Sequence, residues 1–148
     1  MHYNSAIVQF PLVRECAGAT LRTPADVYEV CKDLQDYAQE HFQVLSLNTK
    51  NRLLNRHLVS VGLCDASLVH PREVFRQVIL ESASCVILTH NHPSGDSTPS
   101  AEDLRITRQL IEAGRIIDIK VMDHVIIGRA EGRRDAWLSL RESGLCQF

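Results

Sequence analysis

The stretch from Cys85 to Gly114 constrains this chain more than any other. Cys85-Val86-Ile87-Leu88-Thr89 is an apolar run of strand length, and such a run bounded by turn signals reads as a buried strand. It feeds His90-Asn91-His92 and then Pro93-Ser94-Gly95-Asp96-Ser97-Thr98-Pro99-Ser100, a concentration of turn formers with no counterpart elsewhere in the sequence. Ser100 starts a helix with Leu104, Ile106, Leu110 and Ile111 as its apolar positions, and Gly114 is the expected stop. A buried strand, a loop this dense in turn residues and a capped helix belong to a layered domain, and such loops tend to carry function.

The flanking pattern supplies the other layers. Thr23 caps a helix with Pro24 at its first position, and Val27, Val30, Cys31, Leu34 and Ala38 mark its apolar face. Glu40 to Leu47 is strand-like, Asn48-Thr49-Lys50-Asn51 is a polar turn, and a second strand runs through about Val61, so the pair reads as a hairpin. Pro71 opens another helix, with Val74, Phe75, Val78 and Ile79 apolar. Strands are expected near Asp118–Met122, His124–Ile127 and Trp137–Leu140. Residues 5 to 14 read as an extended arm or edge strand, because Pro11 cannot donate to a central ladder. Helices mixed with strands that include a hairpin give an α/β domain: a mixed β-sheet flanked by helices.

Bulk properties remove several function classes. Sixteen Lys and Arg against eighteen Asp and Glu leave a formal net charge of -2, which provides no general field for a phosphate backbone. The isolated chain is therefore expected to bind nucleic acid weakly or not at all. Cys16, Cys31, Cys64, Cys85 and Cys146 are odd in number and never spaced as C-x-x-C, which argues for reduced, mostly buried thiols. The apolar runs are far too short for a membrane span of about 20 residues. No secretory signal opens the sequence, so a cytoplasmic location is expected.

The chemistry concentrates after Thr89. Residues two apart in an extended segment point to one side, so His90 and His92 can converge on a metal. Asp103 falls in the first turn of the next helix, where the macrodipole favours a carboxylate. Two His and one Asp leave a tetrahedral zinc with one open position, the arrangement of a hydrolytic centre. Each part also has a plainer reading. An isolated H-x-H is two polar residues at a strand end, Ser100 with Asp103 matches a capping box, Gly95 is a turn residue needing positive φ, and Asp96 is a solvated turn carboxylate.

The conjunction is more specific than its parts. His90-x-His92, seven residues, Ser100, two residues and Asp103 reproduce the H-x-H-x7-S-x2-D pattern of the JAMM (JAB1/MPN) metalloproteases, and the whole segment resembles the RadC branch of that superfamily. Further matches are Glu40-His41-Phe42, Asn48-Thr49-Lys50-Asn51-Arg52, Ser67-Leu68-Val69-His70-Pro71-Arg72-Glu73 and Asp123-His124-Val125-Ile126-Ile127-Gly128. The resemblance implies a JAB/MPN fold, similar to cytidine deaminases, over residues 23 to 148, with residues 1 to 22 as an N-terminal arm. It implies one Zn2+ per chain on His90, His92 and Asp103, with Glu40 as the general base. It implies Ser100 as the residue stabilising the oxyanion, although the same hydroxyl can cap the helix. Glu73 and Glu81 are weaker candidates for the base. Asp123 and His124 are read as supporting residues rather than ligands, and His41, His57 and His70 as surface or local hydrogen-bonding groups. Fe or Mn would also suit two His and one Asp.

The leading function is a metallohydrolase cleaving peptide or isopeptide bonds, with a peptide or protein as partner. The alternative is a DNA-repair or mobile-element accessory protein whose JAB domain acts in binding, and a third is a metal-bound scaffold without turnover. Longer RadC relatives carry a helix-hairpin-helix segment, which the residues before Thr23 do not resemble. Arg52, Arg56 and Arg133-Arg134 could touch phosphates but read as solvated basic pairs. A cytidine deaminase would need H-x-E with P-C-x-x-C, and neither occurs. Walker A and dinucleotide fingerprints are absent as well.

Overall fold

A computed structural model describes residues 18–62, 69–132 and 135–148. The expected arm at 5–14, Cys16, Cys64, Ser67, Leu68 and Arg133-Arg134 lie outside these residues. Helix α1 spans Pro24–Cys31, strand β1 His41–Leu47, β2 Leu53–Val61, helix α2 Pro71–Leu80, β3 Cys85–Asn91, α3 Ala101–Ile116, β4 Lys120–Ile127 and β5 Trp137–Ser139. Among the described residues the strands form one sheet in the order β2-β1-β3-β4-β5. The β3–β4 pair is parallel, with α3 as its crossover, and the other pairs are antiparallel. This is the mixed sheet flanked by helices that the sequence predicts.

Strand alternation divides the core between two faces. Phe42 and Val44 of β1 with Val86 and Leu88 of β3 pack under α2 and α3, against Val74, Phe75, Val78, Ile106 and Leu110. Leu45, Leu47, Cys85 and Ile87 point the other way and meet Val27, Cys31 and Leu34. Burial on both sides explains why β3 is fully buried along its length. The same alternation puts His90 on the α3 face and Asn91 on the α1 face.

Several boundaries differ from the sequence reading. After Cys31 the first helix tightens into a 3-10 turn over Lys32–Asp36, and Ala38 lies outside it, exposed. Ile79 is 55% exposed, because Val74, Phe75 and Val78 already fill the buried stripe of α2. Gly114 does not end α3, which continues to Ile116. Its missing side chain instead lets the chain double back, since a Cβ there would stand 2.5 Å from the Ile119 carbonyl oxygen. The reversal itself falls at Asp118, with φ of 58°. The two strands expected between Asp118 and Ile127 are one, with an irregularity that pairs Val86 with Val121 but Ile87 with Asp123. Met122 is the extra residue, and a bulge of this kind reads in sequence as a break. Ahead of Thr23, Leu21 is buried in the α1 layer and Thr20 bridges Arg52.

Among the described residues, no helix is long and apolar enough to cross a membrane. Cys31, Cys85 and Cys146 are free and buried, as expected of reduced thiols. Burial pushes the Cys31 thiol up to about 12, so it is inert.

Candidate metal centre

Four side chains from three parts of the fold meet at one end of the sheet. Glu40 precedes β1, His90 lies at the end of β3 and His92 just beyond it, and Asp103 lies in the first turn of α3. One ligand atom from each lies within 4.8 Å of all the others. His90 Nε2 is 3.0 Å from His92 Nε2 and 3.3 Å from Asp103 Oδ1, and His92 Nε2 is 3.2 Å from Asp103 Oδ2. Glu40 Oε1 stands farther off, 3.6 Å from His90 Nε2.

The spacings suit a tetrahedral metal. Ligand atoms about 2.0–2.1 Å from zinc at tetrahedral angles stand roughly 3.3 Å apart, close to the separations within His90, His92 and Asp103. The protonation pattern fits too. His92 Nδ1 is 2.7 Å from the Asp96 carbonyl oxygen, which can only accept, so Nδ1 carries a proton and the neutral ring turns its Nε2 lone pair to the cluster. Gly95 holds the loop for this contact with φ of 83°, as the sequence predicts. Gly128 lets the loop approach, since a Cβ there would be 2.4 Å from the Gly95 carbonyl oxygen.

Asp103 has two structural duties as well. Its Oδ2 accepts from the Ser100 backbone N–H at 2.7 Å, and Ser100 Oγ accepts from the Asp103 N–H at 3.1 Å, completing a capping box. Burial raises the Asp103 pKa, but the adjacent His90 and His92 rings and the bond from the Ser100 N–H outweigh it and hold the carboxyl far below the usual range. His92 moves the opposite way: burial lowers its pKa, while Asp103, the Asp96 carbonyl and Glu40 raise it to a higher net value. The cap occupies the Ser100 oxygen only as an acceptor, which leaves its hydroxyl proton free to donate.

Two residues that carry no sequence motif marking their role brace this group. Asn91, between the histidines, is fully buried. Its Oδ1 accepts from the His41 N–H at 2.7 Å and its Nδ2 donates to the Gln39 carbonyl at 3.1 Å, clamping the backbone on both sides of Glu40. Thr107, one turn after Asp103, is the second. Its hydroxyl lies 2.6 Å from the Asp103 carbonyl oxygen and 2.6 Å from His124 Nδ1. His124 Nε2 in turn lies 2.8 Å from His90 Nδ1. A polar residue at i+4 on the buried face of α3 was the available signal. His124 is thus a supporting residue, and burial followed by the repulsion of His90 lowers its pKa well below the usual histidine value.

The other candidates have local tasks. Asp123 accepts from Ser139 Oγ, the His124 N–H and the Arg141 N–H, which ties β5 and the residues after it to β4. Glu81 binds Ser46, Asn55 and His57, and Glu73 pairs with Arg72 and Arg76, so neither belongs to the cluster. His41 Nδ1 meets the Gln39 carbonyl and His70 caps α2. Arg56 is committed to Asp33, Gln43 and the Val30 carbonyl.

The sequence model of the RadC-like JAB domain matches residues 21–145. A UPF0758 protein of Caldanaerobacter subterraneus is 47% identical over 130 residues, covering 87% of this chain and 54% of the relative. Another from Desulforamulus reducens is 51% identical over 126 residues, covering 84% and 53%. One from Listeria monocytogenes is 46% identical over 134 residues, covering 90% and 58%. The chain spans a little over half the length of these curated relatives.

Proposed function

The chain belongs to the RadC-like JAB domain family, and from that membership and the convergence of Glu40, His90, His92 and Asp103 we propose a zinc-dependent hydrolase of the JAMM type acting on peptide or isopeptide bonds. The observation that carries this reading is the tight triangle of His90, His92 and Asp103, with the His92 lone pair turned inward by Asp96. Zinc on these three ligands supplies Lewis acidity toward a carbonyl and lowers the pKa of a coordinated water toward ~7.

This chain's own residues supply the proton handling. Glu40 sits at the edge of the cluster, partly exposed and backbone-clamped by Asn91. Its carboxylate takes the proton from the attacking water and passes it to the leaving nitrogen as the C–N bond breaks. Ser100 donates a hydrogen bond from its hydroxyl to the carbonyl oxygen as negative charge develops there. The supporting histidine and threonine keep the ligands in place.

Elemental analysis of protein purified without chelator, followed by a peptide and isopeptide library, tests the reading. About one zinc per chain and chelator-sensitive cleavage are expected. Protein that holds no stoichiometric metal, even after incubation with zinc, overturns it.

A further inference from the structure

We infer that Thr107 and His124 are positioning residues which fix the proton of His90 on Nδ1, so that its Nε2 lone pair faces the metal position before any metal arrives. One buried chain of hydrogen bonds links the Asp103 backbone to the His90 ring, and its direction is set at its far end. The Asp103 carbonyl oxygen can only accept, so at 2.6 Å it receives the Thr107 hydroxyl proton. Thr107 has one proton to give, so its oxygen must accept from His124 Nδ1, also 2.6 Å away. A neutral His124 then carries its proton on Nδ1 and offers a lone pair at Nε2. That lone pair accepts from His90 Nδ1 at 2.8 Å, and His90 Nε2 is left unprotonated towards His92 and Asp103.

The chain closes on itself, because it starts at the backbone of one ligand, Asp103, and ends on the ring of another, His90. Thr107, His124 and His90 are all fully buried, so water does not compete for these bonds. Phe42 holds both rings, stacked on His90 at 5.9 Å between ring centres and edge-on to His124 at 5.5 Å. The order also works in reverse. Were the His124 proton on Nε2, His90 would have to accept at Nδ1 and carry its own proton on Nε2, blocking the metal position. Partners that orient a ligating histidine through its second nitrogen are worth 10–100-fold in metal affinity.

This inference rests on the metal reading above, and its test separates the two. In the metal-free 148-residue chain with 15N-labelled histidine, long-range 1H–15N correlation is expected to show His124 neutral with its proton on Nδ1. A proton on His124 Nε2 overturns the relay whether or not the protein binds zinc. The second arm is a zinc competition titration of Thr107→Val and Thr107→Ser. The valine is expected to weaken zinc binding by about 10–100-fold, and the serine, which restores the hydroxyl, to recover most of that loss. A valine variant that is folded and binds zinc like the parent overturns the relay, whereas a parent that binds no zinc defeats the metal reading alone.

Discussion

Replacing Asn91 with alanine tests whether one buried amide holds Glu40 in place. Besides a long, weak contact of 3.5 Å to the Tyr37 carbonyl, the side chain makes two short bonds, 2.7 Å to the His41 N–H and 3.1 Å to the Gln39 carbonyl. Each contributes about 1 kcal/mol. Gln39 is exposed and recovers a water partner, but His41 is half-buried, and its stranded N–H adds on the order of 1 kcal/mol. The total is about 2–3 kcal/mol, or roughly 6–12 °C in Tm for a chain of this size. The Asn91 side chain bonds none of the three metal ligands, so zinc affinity should hold. A Glu40 displaced by about an ångström should lower the rate by ~10²-fold. Thermal melts by circular dichroism, with zinc titration and turnover on the same preparation, read all three quantities. A Tm within about 2 °C of the parent refutes the clamp, because bonds of this kind cannot be lost so cheaply at a fully buried site.

Two amide substitutions should part company: Glu40→Gln keeps zinc while turnover falls by about 10²- to 10⁴-fold, and Asp103→Asn loses tight zinc binding, both read by metal analysis and rate. Retained full turnover in Glu40→Gln would show that another group is the base. Burial raises the Glu81 pKa, but bonds from His57, Ser46 and Asn55 outweigh it and hold the folded value below the ordinary 4.5. Its contribution is therefore complete above pH 4.5 and is lost as pH falls through the lowered folded value. Acid melts of Glu81→Gln should show a shallower loss over that window than the parent, and identical acid limbs would contradict the assignment. Duplex DNA should bind no better than ~10⁻⁴ to 10⁻⁶ M at physiological salt, as measured by anisotropy, and nanomolar binding would favour the nucleic-acid reading.

What the sequence made legible follows periodicity and capping. Strand alternation put His90 and His92 on one side, and Ser100 with Asp103 announced both a helix start and a carboxylate in its first turn. Gly114 was misread because a glycine needed for close approach to the Ile119 carbonyl looks the same in sequence as one needed for a left-handed turn. Met122 was hidden for a similar reason, since a bulge interrupts alternation as a loop does. Asn91 and Thr107 escaped because their partners, Gln39, His41 and His124, are supplied by other elements. Their roles depend on sheet order and on the α3 crossover, which no local pattern encodes.

The assembly of the cluster from β1, β3 and α3 has a kinetic consequence. The His41–Asn91 bond beside Glu40 joins positions 50 residues apart, so Glu40 reaches the histidines only after β1 and β3 have aligned with Phe42 opposite His90. Pairings this distant form slowly, since the chain entropy of closing the loop is lost before any contact compensates it. Unlike a zinc finger, whose ligands lie within one short hairpin and helix and whose metal drives folding, this domain brings Glu40 into its cluster only once its central sheet is built. In stopped-flow refolding, turnover, which needs Glu40 beside the histidines, should therefore lag behind the recovery of secondary structure and serve as a clock for the final stage of folding.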